Sequence, residues 1–160
     1  MTEQIDWLPA LTLFEEFGGD WGSYLDALYV LFKHDFIDSK PVYNGVTLAL
    51  KRHPVILNKE ATFWHIISEG GSEAERVPDM RRCERIRWPR PVIEYSVDSK
   101  IKIWTNERRG EKRICLWLED ADYLVILAER NGYILLWTAY MVELEHTKRK
   151  LRKEYEARKG

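Results

Sequence analysis

Cysteine is scarce: Cys83 and Cys115 are the only two among 160 residues, too few to frame a fold with disulfides. No CxxC occurs, and His34, His53, His65 and His146 stand at no zinc-finger spacing from the cysteines. No bound metal and no cofactor are expected. The sequence also lacks any run approaching the ~18 consecutive apolar residues of a membrane span. Its first residues carry acidic groups where a secretory leader needs positive ones. The expectation is therefore a cytoplasmic chain with reduced thiols and no membrane partner. Charge of one sign is missing as well, with 25 Lys and Arg against 26 Asp and Glu. There is no glycine-rich phosphate loop, no GxSxG elbow and no HExxH pair, so the common nucleotide, serine-hydrolase and zinc-protease chemistries have no motif here. Internal repeats and low-complexity tracts are absent too.

What is present is apolar and aromatic. The hydrophobic fraction is 45%, with seven Trp, eight Tyr and five Phe, which fits a folded globule and excludes a disordered chain. A single domain over residues 1–160 is the simplest division at this length. Within it, 1–58 reads as an N-terminal portion of helices and a short strand, and 59–160 as the core with a terminal helix. The densest apolar stretch follows Arg113. Ile114–Leu118, Tyr123–Ala128 and Tyr133–Ala139 read as strands, broken by Glu119–Asp122 and by Asn131-Gly132. Asn-Gly suits a type I′ turn, which sets Arg130 opposite Tyr133, Val125 opposite Thr138 and Tyr123 opposite Tyr140. Thr138 and Tyr140 then share a face, because strand side chains repeat every second residue.

Upstream, Ser23 is a candidate N-cap for a helix to about Lys33. Val46–Leu50 reads as a short strand. Glu60–Ser68 leans towards strand by its β-branched and aromatic content, although Phe63, Ile66 and Ile67 also fit one helical face. Asp79 caps a helix of roughly 80–88, which Pro89 and Pro91 end. Val92–Tyr95 and Lys100–Thr105 read as extended, and the chain from Val142 as a helix with Leu144, Leu151 and Tyr155 as its stripe. Helices first, strands next and a helix last argue for α+β with an antiparallel sheet.

Positive charge is unevenly spread. Residues 1–60 hold nine acidic side chains against five basic ones, whereas Arg81–Arg90 packs five arginines against one glutamate. Guanidinium groups suit phosphate, because their planar donors make paired charge-assisted bonds. Trp88 stands among them, and arginine interleaved with aromatic rings fits single-stranded nucleic acid. The commoner fate of such a run is a solvated helix face. His65 is the only histidine set in an apolar segment, and imidazole is the side chain best suited to proton transfer near neutrality. One histidine, clustered arginines and a Thr/Tyr pair at a strand end suit one reaction in particular. In RNA cleavage by the adjacent 2′-hydroxyl the substrate carries its own nucleophile.

Three stretches carry a family pattern: Phe63-Trp64-His65-Ile66, then Pro78–Trp88 (PDMRRCERIRW), then Gly132-Tyr133 running into Thr138-Ala139-Tyr140. In order and spacing they resemble phage- and prophage-associated members of the barnase–EndoU–colicin–RelE superfamily, over roughly residues 60–155. The resemblance implies N-terminal helices packed on an antiparallel sheet of about four strands. It also implies a metal-independent ribonuclease that leaves a 2′,3′-cyclic phosphate. On that resemblance His65 is the general base or acid, and Arg82 and Arg85 hold the scissile phosphate. Thr138 and Tyr140 orient that phosphate or pass a proton. Beside those residues, Trp64, Arg81 and Trp88 are the substrate-binding candidates. RNA is the expected partner, with an antitoxin or immunity protein beside it. The alternative is a non-catalytic protein- or RNA-binding module of phage origin.

Overall fold

The computed structural model of the chain describes residues 5–70 and 75–158. Helix α1 (Trp21–Lys33) begins at Asp20, not at Ser23. The Asp20 carboxylate accepts the Ser23 amide at 2.9 Å and the Ser23 hydroxyl at 2.7 Å, so Ser23 serves the cap from inside the first turn. Tyr24, Leu25, Leu28 and Phe32 form the buried stripe of α1. A small hairpin follows, β1 (Val42–Tyr43) and β2 (Val46–Thr47), turned by Asn44 and Gly45 with φ of 50° and 80°. The expected strand over Val46–Leu50 is split: only its first two residues pair in that hairpin. Ala49 instead bridges in parallel to Leu135, its amide donating to the Ile134 carbonyl at 2.8 Å.

Glu60–Ser68 is helical, not extended. Helix α2 (Ala61–Ile67) buries every residue but Trp64, so it has no polar face to give the sequence a helical period. Two short paired strands come next, β3 (Ser68–Glu69) and β4 (Val77–Pro78). Helix α3 (Met80–Glu84) is capped by Asp79, whose carboxylate accepts the Arg81 amide at 2.9 Å. It ends four residues earlier than expected. Pro89 opens a second helix, α4 (Pro89–Glu94), because proline costs nothing in a first turn where its missing N–H has no partner to lose. Most of Val92–Tyr95 is therefore helical, and the extended reading of it fails.

The sheet consists of β5 (Ile101–Arg108), β6 (Glu111–Leu118), β7 (Tyr123–Arg130) and β8 (Tyr133–Met141), antiparallel and in sequence order. Leu116, Val125, Leu127 and Leu136 on one face pack with Leu28, Phe32, Phe63 and Ile67 from the N-terminal helices. On the other face Trp104, Cys115, Trp117 and Leu124 meet Leu151 of helix α5 (Glu145–Glu156). The architecture is α+β, with N-terminal helices on one face of a four-stranded antiparallel sheet and a C-terminal helix on the other. Among the described residues no helix is long and apolar enough to cross a membrane.

The β7–β8 turn differs from expectation in two ways. Gly132 alone takes positive φ, 83°, so the turn is not type I′. Arg130 does pair with Tyr133, but a bulge between Ile126 and Leu127 leaves Trp137 as an extra residue on β8. Beyond it Ile126 opposes Thr138 and Leu124 opposes Tyr140, one residue out from the unbulged register. Thr138 and Tyr140 still share a face, but it is the face of α5 instead of the face of Val125 and Tyr123.

Candidate functional site

Helix α2 ends abruptly: Ser68 is extended, with φ of −137°, so the last carbonyls of the helix lack the amides that a further turn would supply. Two arginines from later in the chain fill that gap. Arg82 Nη1 donates to the Ser68 carbonyl at 2.7 Å and the His65 carbonyl at 3.3 Å. Arg76 Nη2 donates to the same two oxygens at 2.8 and 3.1 Å, and its Nε reaches Ser68 Oγ at 3.0 Å. The Thr138 hydroxyl adds a bond of 3.3 Å to the His65 carbonyl. Cations at the negative end of a helix are favoured by its dipole, so the clamp is electrostatic as well as directional. It fastens α2, α3 and β8 together.

The same clamp forms the wall of a cleft of about 160 Å³, lined by His65, Glu69, Arg76, Arg82, Trp137, Thr138 and Tyr140 with Gly70. His65 presents its ring edge-on to Trp137, centroids 5.3 Å apart, and the residue is only 4% exposed. The Arg82 guanidinium lies over the Tyr140 ring at 5.1 Å, with Nε 3.8 Å from Asp79 Oδ2. Burial raises the Tyr140 hydroxyl above its ordinary value near 10, against a smaller opposing pull from Arg82. The phenol therefore keeps its proton at neutral pH and is a donor. A second cleft of about 270 Å³ adjoins the first through Glu69, Arg82 and Tyr140, and Arg81 stands in it, paired with Glu143.

Four of the five expected catalytic residues thus converge: His65, Arg82, Thr138 and Tyr140. Arg85 does not. Its Nη1 donates to the Arg81 carbonyl at 3.0 Å, and its guanidinium stacks on Trp88 at 5.0 Å, away from either cleft. Trp88 is committed to packing, with its indole N–H on the Pro9 carbonyl at 2.9 Å and its ring on Tyr123. Trp64 donates to the Ile56 carbonyl at 3.1 Å and lines a separate pocket with Pro78. Of the three flanking residues only Arg81 stands beside the cleft.

The sequence reading missed Arg76, Trp137 and Glu69. Arg76 gave no signal, being one charge in a stretch without apolar periodicity. Trp137 was concealed by the alternation rule, which aims it away from Thr138 until the bulge re-aims it. Further cations surround that indole: Arg113 at 5.1 Å, Arg130 at 5.8 Å and Lys51 at 5.9 Å from the ring centre. Among the described residues no group of three or more His, Cys, Asp and Glu side chains gathers as metal ligands do. The two thiols are buried, and burial pushes each up to about 12, so neither is a nucleophile. No family model matches the chain, and no curated protein and no solved structure compared with it gives a significant match.

Proposed function

We propose that the protein is a metal-independent ribonuclease, of prophage or toxin type, acting in the cytoplasm at this cleft. The observation that carries the reading is convergence. An imidazole, a guanidinium, a hydroxyl and a phenol from positions 65, 82, 138 and 140 line one recess. The electrostatics agree with 2′-hydroxyl attack. A base takes the 2′-hydroxyl proton, the 2′-oxygen bonds to phosphorus, and the bond from phosphorus to the 5′-oxygen breaks. That oxygen leaves with a proton from the acid, and a 2′,3′-cyclic phosphate remains. Tyr140 holds its proton and so belongs on the donor side, which leaves His65 to accept, with Glu69 beside it in the cleft. Arg82, with Thr138 beside it, offsets the charge that builds on the phosphate oxygens. An antitoxin or immunity protein is the partner such an enzyme calls for.

The test is end-group analysis of a short RNA incubated with the protein in chelator. The expected products are a 2′,3′-cyclic phosphate and a 5′-hydroxyl, and a single 2′-deoxy substitution at the cut site should block that cut. Cleavage that persists through the deoxy position, or that requires Mg²⁺, refutes the proposal. Two observations favour a second reading, a binding module without catalysis: His65 is 4% exposed, and Arg82 Nη1 is already bonded to two carbonyls. That reading predicts RNA retention in a low-salt shift assay with no product at any time.

A further inference from the structure

Trp137 combines an unpaired indole N–H with a ring that reaches a cleft, whereas Trp117, whose N–H is also unpaired, is fully buried. Trp7, Trp64, Trp88 and Trp104 each donate the indole N–H, to Asp98, the Ile56 carbonyl, the Pro9 carbonyl and Glu154, at 2.9–3.1 Å. Among the described residues the Trp137 N–H donates to nothing, and the ring is partly exposed in the wall of the cleft. A bulge puts it there, since Leu136 pairs with Leu127 and Thr138 with Ile126, and Trp137 pairs with neither. Bulges beside a cleft re-aim a side chain at the cost of ladder bonds, a cost a merely packed tryptophan would not require.

The charges around the ring complete the picture. Arg113 and Arg130 share one carboxylate, Glu111, at 3.5 and 2.7 Å from its two oxygens. Each approaches it through Nε, Arg130 also bonds the Tyr133 side chain, and among the described residues neither guanidinium is paired with a second carboxylate. An aromatic face among cations, next to a recess for one phosphodiester, complements an unstacked base followed by its backbone. A duplex cannot use it, because its bases lie stacked on one another and the deep groove of A-form RNA admits no side chain to their faces.

We infer that Trp137 is a stacking platform for the base next to the bound phosphodiester, with Arg113 and Arg130 taking the following phosphate, so that the site selects single-stranded RNA. This rests on the reading of the cleft as an RNA site and names its substrate class. The cation contacts seen over the ring are the weaker competitor, because a base–indole stack exceeds an exposed cation–ring contact. On binding, the guanidinium groups exchange the ring for phosphate.

The experiment uses the full chain and 2′-O-methyl oligonucleotides of about ten nucleotides, which lack the nucleophile and survive a nuclease. Affinity is read by anisotropy for single strand and for duplex, on wild type, W137A and W137F, with melts recorded for each. The single strand should bind wild type at least about tenfold more tightly than the duplex. W137A should weaken single-strand binding about tenfold and leave the duplex unchanged, while W137F stays within about threefold of wild type. Equal affinity for both forms overturns the inference, and so does a W137A variant that binds the single strand as wild type does. Cleavage of unmodified RNA is scored separately. Trp137-dependent binding without cleavage sinks the ribonuclease and spares the platform, and cleavage with indifferent binding does the reverse.

Discussion

Tyr140 keeps its proton because its phenol sits mostly out of water between Arg82 and the edge of the α5 core, and burial outweighs the guanidinium's opposite pull. A group with a raised value stays in its acid form to higher pH. Activity should therefore show no alkaline decline from Tyr140 until above the ordinary phenol value of 10. A pH–rate profile with a fall through pH 9 that Y140F removes would contradict this. The Y140F change itself takes away one oxygen and should lower cleavage by roughly 10²–10⁴-fold while moving the melt little. Trp137 shows where reading by residue type runs out. Its identity is plain in the sequence, but its direction depends on a bulge that a uniform two-residue period cannot contain. Arg85 shows the reverse: it stands one helical turn from Arg81, yet that turn carries it to Trp88 and not to the cleft.

At the scale of elements, α2 and its clamp matter most. R82A removes charge-assisted bonds to two helix-end carbonyls and should destabilise the protein by about 2–3 kcal/mol, with a lower melting temperature. R82K should recover less than half, because an ammonium cannot reproduce the planar fork. A melt unchanged in R82A would show that Arg76 suffices alone. The C-terminal helix has its own tether, Glu119, which accepts from Arg152 Nε at 2.7 Å and from Lys102. Burial works to raise this carboxyl, but Lys102 and Arg152 outweigh it and hold it below its ordinary 4.5. A carboxylate depressed in the folded state stabilises above its unfolded value and loses that contribution as pH falls through the folded one. Denaturant titrations of E119Q should thus show a deficit of roughly 1 kcal/mol at pH 7 that shrinks as the pH falls below the ordinary 4.5 and through the lowered folded value; a deficit independent of pH would oppose this. The strands of the sheet, the Asp79 cap and α5 were legible because each is written in local pattern. Helices α2 and α4 were not, since one buries every residue but Trp64 and the other begins at the prolines expected to end the helix before it.

For the whole molecule, near-neutral net charge conceals a basic rim around the cleft, made by Arg76, Arg82, Arg113 and Arg130 with Lys51. If the two phosphates assigned to it are held there, the logarithm of single-strand affinity should fall with the logarithm of salt at a slope of about −1.4. A slope near zero would mean that the rim touches no phosphate. The α+β class could be read from element order alone, whereas the cleft could not, because it exists only where α2, α3 and β8 are fastened together. The central claim is that this junction cleaves RNA, and one measurement bears on it most directly. Cleavage of a single-stranded RNA in chelator is followed for wild type, H65Q and Y140F, each shown by its melt to be folded. The account predicts cutting by wild type and a loss of at least about 100-fold in both variants. Equal rates in all three, or no cutting by any, would contradict it.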